Sequence, residues 1–305
     1  VNTELSLDFF KNTFTPKFIK DNLEKITFCG DDGDPIYAHD LIPVIEYIKS
    51  VKPVKFVIIT NGSYKKASWW KQLGQILDEN DHVHWSLDGW DQDSNEKYRV
   101  NCNWASIIEG IREFRASSSA YMTWACIAFK FNQDHIESMK LMARDLGFDQ
   151  FQLTLSTKFN KVYPVYPAGD TLQPRGDLIS DNYRFQRQFE YISGRRPSNV
   201  GVNTNLGLYN SAQTYNDVKP LCSIGNKGLY LNSQGRLFPC CWVANRYNHN
   251  NEWAKLSERF DLNIRSIDSV LSDPFWSGDF ENFHWTECNT KCNIQVVDEQ
   301  YSTEW

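Results

Sequence analysis

The chain predicts an α/β fold, a parallel sheet or barrel followed by a small cysteine-rich unit. Three observations carry that expectation. Short apolar runs alternate with helix-period segments through the first half of the chain, the pattern of βα units. Gly, Asp and Asn gather where successive runs end, the place where parallel α/β folds carry their functional loops. Five of the eight cysteines stand beyond residue 220.

Residues 8–22 fit a first helix. Lys25-Ile26-Thr27-Phe28-Cys29 is a short apolar strand, and a helix over 39–49 follows with Leu41, Ile45 and Ile48 on one face. Lys55-Phe56-Val57-Ile58-Ile59 is a near-continuous apolar run, suited to a strand covered on both sides. A helix over 67–77 leads to a strand over 82–87. A helix over 104–115, with Ile107, Ile108, Ile111 and Phe114 inward, leads to a strand over 121–129. A helix over 135–146, stopped by Gly147, precedes a fifth strand over 151–155. The regular pattern then fades. Pro164, Pro167, Pro174 and Pro197 mark a connector that carries one helix, over 178–192. Residues 225–240 read as a hairpin with Ser233-Gln234-Gly235 at its turn. Residues 264–271 read as a short helix ended by Asp273-Pro274. The expected domains are a core over 1–157, a connector over 158–218 and a cysteine-rich unit over 219–305.

Hydrophobic residues make up 41% of the 305 and charged residues 23%, which excludes wholesale disorder. No apolar stretch reaches the ~18 residues of a membrane span. A net charge of −6 disfavours a broad nucleic-acid surface. Lys65-Lys66 and Arg195-Arg196 are the notable basic pairs and read as solvated surface. The start at Val1 has no secretory pattern. The expectation is a cytoplasmic protein and a chain that is a fragment.

Cys29, Cys102 and Cys126 are scattered and read as small buried hydrophobes. Cys222, Cys240 and Cys241, then Cys288 and Cys292, form two groups near turns, a usual layout for a four-thiolate metal site. Thiolates suit zinc or an iron–sulfur cluster and not magnesium or calcium. Spacing leaves both zinc and iron–sulfur open. Gly30-Asp31-Asp32-Gly33-Asp34-Pro35, Thr60-Asn61-Gly62 and Ser86-Leu87-Asp88-Gly89 each satisfy ordinary turn chemistry. Their succession at three strand ends points to a binding site.

On these residues the chain, from about Leu23 to Cys292, resembles a radical S-adenosylmethionine (SAM) protein with a C-terminal SPASM/Twitch-type domain. Asp32-Gly33-Asp34-Pro35 is similar to the family's Gly-Gly-Glu-Pro motif, which takes the amino group of SAM. Asp32 stands at its first glycine and Asp34 at its glutamate. Thr60-Asn61-Gly62 resembles the Thr-Asn-Gly that often ends the next strand. Ser86-Leu87-Asp88-Gly89 resembles Ser-x-Asp-Gly, whose polar side chains face SAM. Tyr98-Arg99 matches a frequent Tyr-Arg whose arginine reaches the SAM carboxylate. The resemblance thus implies Gly33, Asp34, Pro35, Thr60, Asn61, Ser86, Asp88 and Arg99 as cofactor contacts. It implies Cys222, Cys240, Cys288 and Cys292 as ligands of an auxiliary [4Fe–4S] cluster, with Cys241 spare or an alternative to Cys240.

The fold implied is a partial (β/α)6 TIM-like barrel, its first strand missing, with a small C-terminal metal domain. The family's Cys-x3-Cys-x2-Cys loop, which holds the core [4Fe–4S] cluster, does not occur in the 305 residues. The expected explanation is that this strand and loop lie upstream of Val1; the other is a homologue without that cluster. With the loop, the resemblance implies an enzyme. A reduced cluster splits SAM, and the 5′-deoxyadenosyl radical takes hydrogen from a peptide, protein or small molecule, with a flavodoxin- or ferredoxin-like electron donor. Without it, the reading is a non-enzymatic binding or scaffold protein clipped by metal.

Overall fold

A computed structural model describes residues 4–30, 33–156, 185–196, 228–246 and 257–276. The chain divides into two compact units. One gathers described residues from 1–23, 38–53 and 213–294, and the other those from 24–37 and 54–212.

The first unit opens with α1 (Leu7–Thr13) and α2 (Pro16–Asn22), where the sequence predicts one helix over 8–22. The break has a local cause. Pro16 has no N–H and pushes Thr15 into extended backbone, so Thr15 becomes the N-cap of a new helix. In one continuous helix the Phe18 N–H would meet the Phe14 carbonyl. Instead it donates to Thr15 Oγ1 at 3.3 Å, and the Phe14 carbonyl accepts from the Tyr47 hydroxyl at 2.8 Å. Tyr47 lies on α3 (Leu41–Val51), which buries Leu41, Val44, Ile45 and Ile48.

The second unit is built on one sheet in the order of the chain: β1 (Lys25–Phe28), β2 (Lys55–Thr60), β3 (His82–Ser86), β4 (Tyr121–Ile127), β5 (Gln150–Ser156) and β6 (Phe185–Tyr191). The first five strands are parallel. They are joined through α4 (Ala67–Ile76), α5 (Gln92–Glu96), α6 (Trp104–Ser117) and α7 (Ile136–Asp145). The predicted strands and the predicted helices α4, α6 and α7 are present with ends shifted by at most two residues, and α5 is an addition to the sequence reading.

β6 corrects the sequence reading. The segment 185–191 lies in the helix predicted over 178–192, yet it is a strand antiparallel to β5, paired from Gln150↔Tyr191 to Ser156↔Phe185. A helix there would leave the outer edge of β5 unpaired, and a backbone edge is a stronger organiser than weak local propensity. Residues 178–184 lie outside the described residues.

Trp70, Trp85, Phe114, Trp124, Phe148 and Phe151 are buried at the centre of this unit. Trp70 and Trp85 meet at 4.3 Å between ring centroids. At the start of β5 stands Asp149, whose side chain is 3% exposed. Its carboxylate accepts from the Met122 N–H (2.9 Å), Ser193 Oγ (2.8 Å), Arg115 Nη1 (3.2 Å) and Arg195 Nη1 (3.3 Å). One buried acid thereby ties β4, α6 and the turn after β6 to β5.

The rest of the first unit is the predicted hairpin, β7 (Tyr230–Leu231) against β8 (Leu237–Phe238). Asn232 Oδ1 accepts from the Gln234 and Arg236 N–H groups and so organises its turn. α8 (Cys241–Arg246) follows β8. The short helix predicted over 264–271 is α9 (Ile267–Leu271), capped by Ser266.

Candidate functional site

The carboxyl ends of β1, β2 and β3 present the three loops that the sequence singles out. In a parallel sheet these ends share one edge, so residues far apart in sequence converge.

After β1, Asp34 opens the 3-10 turn Pro35–Tyr37. Asp34 Oδ1 accepts from the Ile36 N–H at 3.2 Å, and Oδ2 accepts from the Asn61 N–H at 2.6 Å. The Thr60 hydroxyl also bonds this carboxylate. Burial nonetheless raises the Asp34 pKa above the ordinary carboxylate value, against those bonds and the pull of Arg99. A carboxylate has about four lone-pair sites, so three bonds leave room for a cationic donor. Gly33 is exposed, and a Cβ there would meet nothing, so no steric demand for glycine exists at that position. Pro35 supplies the fixed φ that starts the turn.

After β2, Thr60 Oγ1 accepts from the Gly62 N–H at 3.0 Å, and Asn61 Oδ1 accepts from the Ser63 N–H at 2.9 Å. Gly62 has φ +73°, and a Cβ there would stand 2.6 Å from the Trp85 ring. Both facts require glycine.

After β3, Asp88 is completely buried. Its Oδ2 accepts from Arg99 Nε at 2.7 Å and its Oδ1 from the Ile127 N–H at 2.6 Å. Both oxygens are thus engaged within the protein, and the carboxylate's work here is to hold Arg99. Arg99 is 25% exposed. Among the described residues its Nη1 and Nη2 have no hydrogen-bond partner, which leaves the bidentate edge of the guanidinium open. Burial opposes the charge of Arg99, but Asp88, with smaller contributions from Tyr98 and Cys126, outweighs it and holds the pKa above its ordinary value. The half-buried Ser86 ends β3, and its hydroxyl has no partner among the described residues. Gly89 leaves space for the backbone of Ser94 and Asn95 in α5, where a Cβ would fall 2.2 Å from the Asn95 nitrogen.

The structure therefore brings Asp34, Thr60 and Asn61 into one bonded group and Asp88 and Arg99 into another. The two groups are close enough for Arg99 to act electrostatically on Asp34. Three contributors are absent from the sequence reading: the buried Asn95 and Asn132, and the backbone of Ile127. Asn95 is four residues before Arg99, a helical spacing that could have flagged it. Asn132 follows β4 without the glycine that marks the other loops.

Of the cysteines read as metal ligands, Cys240 follows β8 and is half-buried, and the Ala244 N–H donates to its carbonyl at 3.2 Å. Cys241 is the first residue of α8. Cys222, Cys288 and Cys292 lie outside the described residues. Among the described residues no group of three or more Cys, His, Asp or Glu is placed to hold a metal ion. The thiol set suits zinc or an iron–sulfur cluster by its chemistry. A core cluster bound by a Cys-x3-Cys-x2-Cys loop does not fit the residues present. Cys102 and Cys126 are buried, and burial pushes the Cys126 thiol well above its ordinary pKa, so it behaves as a packed hydrophobe.

No family model and no curated protein matches the chain. Solved structures do. Native anSMEcpe with bound AdoMet and Cp18Cys peptide is similar over 94% of this chain and 78% of that one, with 14% identity and a TM-score of 0.51. SuiB of Streptococcus suis bound to S-adenosylmethionine matches over 50% of this chain and 33% of its own, with 17% identity and a TM-score of 0.39. TYW1 with a lysine-pyruvate adduct bound matches over 43% and 41%, with 15% identity and a TM-score of 0.33. This chain thus spans about two fifths of TYW1 and one third of SuiB. The first likeness shows the fold at the level of a mixed α/β architecture with a mostly parallel sheet; the latter two carry no argument.

Proposed function

We propose that this chain is a radical SAM protein whose sheet-based unit binds the amino-acid end of SAM at the carboxyl edge of β1 to β3. The observation that carries the reading is the pairing of opposite charges there. Asp34 keeps an acceptor site for an ammonium group, and Arg99 keeps an open guanidinium edge for a carboxylate. A zwitterion needs both, at neighbouring strand ends. Thr60 and Asn61 orient Asp34, Asp88 orients Arg99, and Ser86 offers a hydroxyl beside them. Gly33 and Pro35 shape the first loop.

When bound beside a reduced iron–sulfur cluster, SAM supplies a 5′-deoxyadenosyl radical for hydrogen abstraction. The residues of this chain bind and orient the cofactor and exclude water around it. The thiolates needed for the core cluster are not among these 305 residues, so the radical reaction is proposed only for a protein that carries them. Cys222, Cys240, Cys288 and Cys292 are proposed as ligands of an auxiliary [4Fe–4S] cluster, with Cys241 the alternative to Cys240. The substrate class is a peptide, a protein or a small molecule. A peptide has the support that anSMEcpe, similar in fold, was solved with one. The reading includes a flavodoxin- or ferredoxin-like electron donor and a cytoplasmic setting. No described helix is long and apolar enough to cross a membrane.

Calorimetric titration of the 305-residue chain with SAM tests the reading. One site per chain is expected, weakened in Arg99→Ala and Asp34→Asn. Absence of binding to the wild-type chain would favour the non-enzymatic, metal-clipped protein.

A further inference from the structure

We infer that Asn95 and Asn132 are positioning residues that lock the Asp88–Arg99 pair so that the open edge of Arg99 faces a ligand carboxylate. The ligand is the one under the proposed function; the locking itself is argued from geometry alone.

Both amides are completely buried. Asn132 joins the loops after β3 and β4. Its Nδ2 donates to the Asp88 carbonyl at 2.8 Å and the Ile127 carbonyl at 2.9 Å, and its Oδ1 accepts from the Phe129 N–H at 2.8 Å. Asn95 clasps both members of the pair. Its Oδ1 accepts from the Asp88 N–H at 2.9 Å and the Gly89 N–H at 3.2 Å. Its backbone carbonyl accepts from the Arg99 N–H at 2.8 Å. Every polar atom of Asp88 is thereby engaged: N–H by Asn95, carbonyl by Asn132, and the two carboxylate oxygens by Ile127 and Arg99.

With its backbone held by the two amides and its carboxylate by Ile127 and Arg99, Asp88 is fixed in place, and a guanidinium bonded to it through Nε has the direction of its Nη edge restricted. A buried ion pair needs good geometry and satisfied hydrogen bonds to offset its desolvation; what exceeds that need here is the Nη edge of Arg99, held in place yet without a hydrogen-bond partner among the described residues. Such over-determination fits a group that must meet a planar partner at fixed angle. Removal of either amide would leave buried donors or acceptors unmatched and release the loop.

Two readouts test the inference in the full 305-residue chain. The first needs no ligand. Phenylglyoxal labelling of each arginine is followed by peptide mass spectrometry. Arg99 should label several-fold faster in Asn132→Ala and Asn95→Ala than in wild type, with Arg265 as an unchanged internal reference. The second compares, by calorimetry, SAM with its decarboxylated analogue. A change that merely loosens the fold weakens both ligands alike. Lost aim of Arg99 weakens SAM alone, and the preference for SAM should fall about tenfold. Asn95→Asp keeps an acceptor for the Asp88 and Gly89 N–H groups and should bring Arg99 labelling back toward the wild-type rate, while the added buried carboxylate keeps SAM binding weak. Unchanged Arg99 labelling in both alanine variants, or equal weakening of the two ligands, overturns the inference. Should wild type bind neither ligand, the proposed function fails while labelling still decides the positioning. Should Asn132→Ala not fold, the Asn95 pair of variants decides.

Discussion

Asp34→Asn separates the charge of the carboxylate from its shape. The carboxylate accepts from the Asn61 N–H at 2.6 Å, the Ile36 N–H at 3.2 Å and the Thr60 hydroxyl. Asparagine keeps one oxygen. Turned to the short Asn61 bond, it sacrifices only the longer Ile36 bond, a loss of about 1 kcal/mol. Against that stands relief from burying a charge. Burial, the largest influence, raises the Asp34 pKa in the folded chain. The folded state therefore binds more protons than the unfolded one, from the unfolded value of about 3.9 up to the raised folded value. Stability of the unliganded wild type, relative to the variant, must then fall as pH rises through that window. The constant hydrogen-bond loss cancels from this slope. Affinity moves the other way. An ammonium needs the ionised acid, and a charge-assisted contact contributes about 1.5–3 kcal/mol. The variant should therefore bind SAM about ten- to a hundredfold more weakly near neutral pH. Urea unfolding at a series of pH values and calorimetry measure the two effects. A wild-type advantage that grows with pH across the window would refute the account of Asp34, as would SAM affinity within about threefold of wild type.

Asp149→Ala should cost about 4 kcal/mol, combining an orphaned Met122 N–H with an unpaired, mostly buried Arg115. The more exposed Arg195 regains water and adds little. Circular-dichroism melting should show a drop of roughly 8–16 °C, and a much smaller drop would sink the role of the acid as a tie. Gly62→Ala forces a side chain into φ +73° and against the Trp85 ring. It should lose about 2–4 kcal/mol, and an unshifted denaturation midpoint would reject the demand for glycine. After anaerobic reconstitution, Cys240→Ser or Cys241→Ser should lower bound metal by more than half, read by iron, sulfide and zinc assays. Full metal content in both variants would remove this turn from the proposed metal site.

Legibility in the sequence followed the range of the interactions. The strands over 25–28 and 55–60 and the helices between them were readable because each is written in its own residues. The glycine-marked loops after β1 to β3 were readable for the same reason. The break before Pro16 was also local. Thr15-Pro16 is an N-cap and first-turn signature, and helical periodicity across it masked the signal. β6 was not readable, because the partner that makes 185–191 a strand is the edge of β5, 29 to 41 residues back. The bonding of the site was invisible too. Asp88 and Asn132 lie 44 residues apart, and Asp149 draws its partners from residues 115, 122, 193 and 195. Motif resemblance picked out Asp88 as a residue facing a cofactor. The structure adds what the motif does not convey, that its two oxygens accept from Arg99 Nε and the Ile127 N–H.

That internal use of Asp88 bears on what the site can hold. Two carboxylates, Asp34 and Asp88, face one guanidinium, Arg99, which leaves these three side chains with one negative charge in excess. Burial raises the pKa of Asp34 despite its hydrogen bonds and Arg99, so its charge is costly where it stands. A ligand that is neutral as a zwitterion would satisfy both poles and leave the excess uncompensated. A ligand that adds one further positive charge would cancel it. SAM, with ammonium, carboxylate and sulfonium, carries that net charge. Its sulfur-neutral product does not. Under the proposed function the edge is thus expected to bind SAM more tightly than methionine, and equal affinities of the two by calorimetry would refute this electrostatic account.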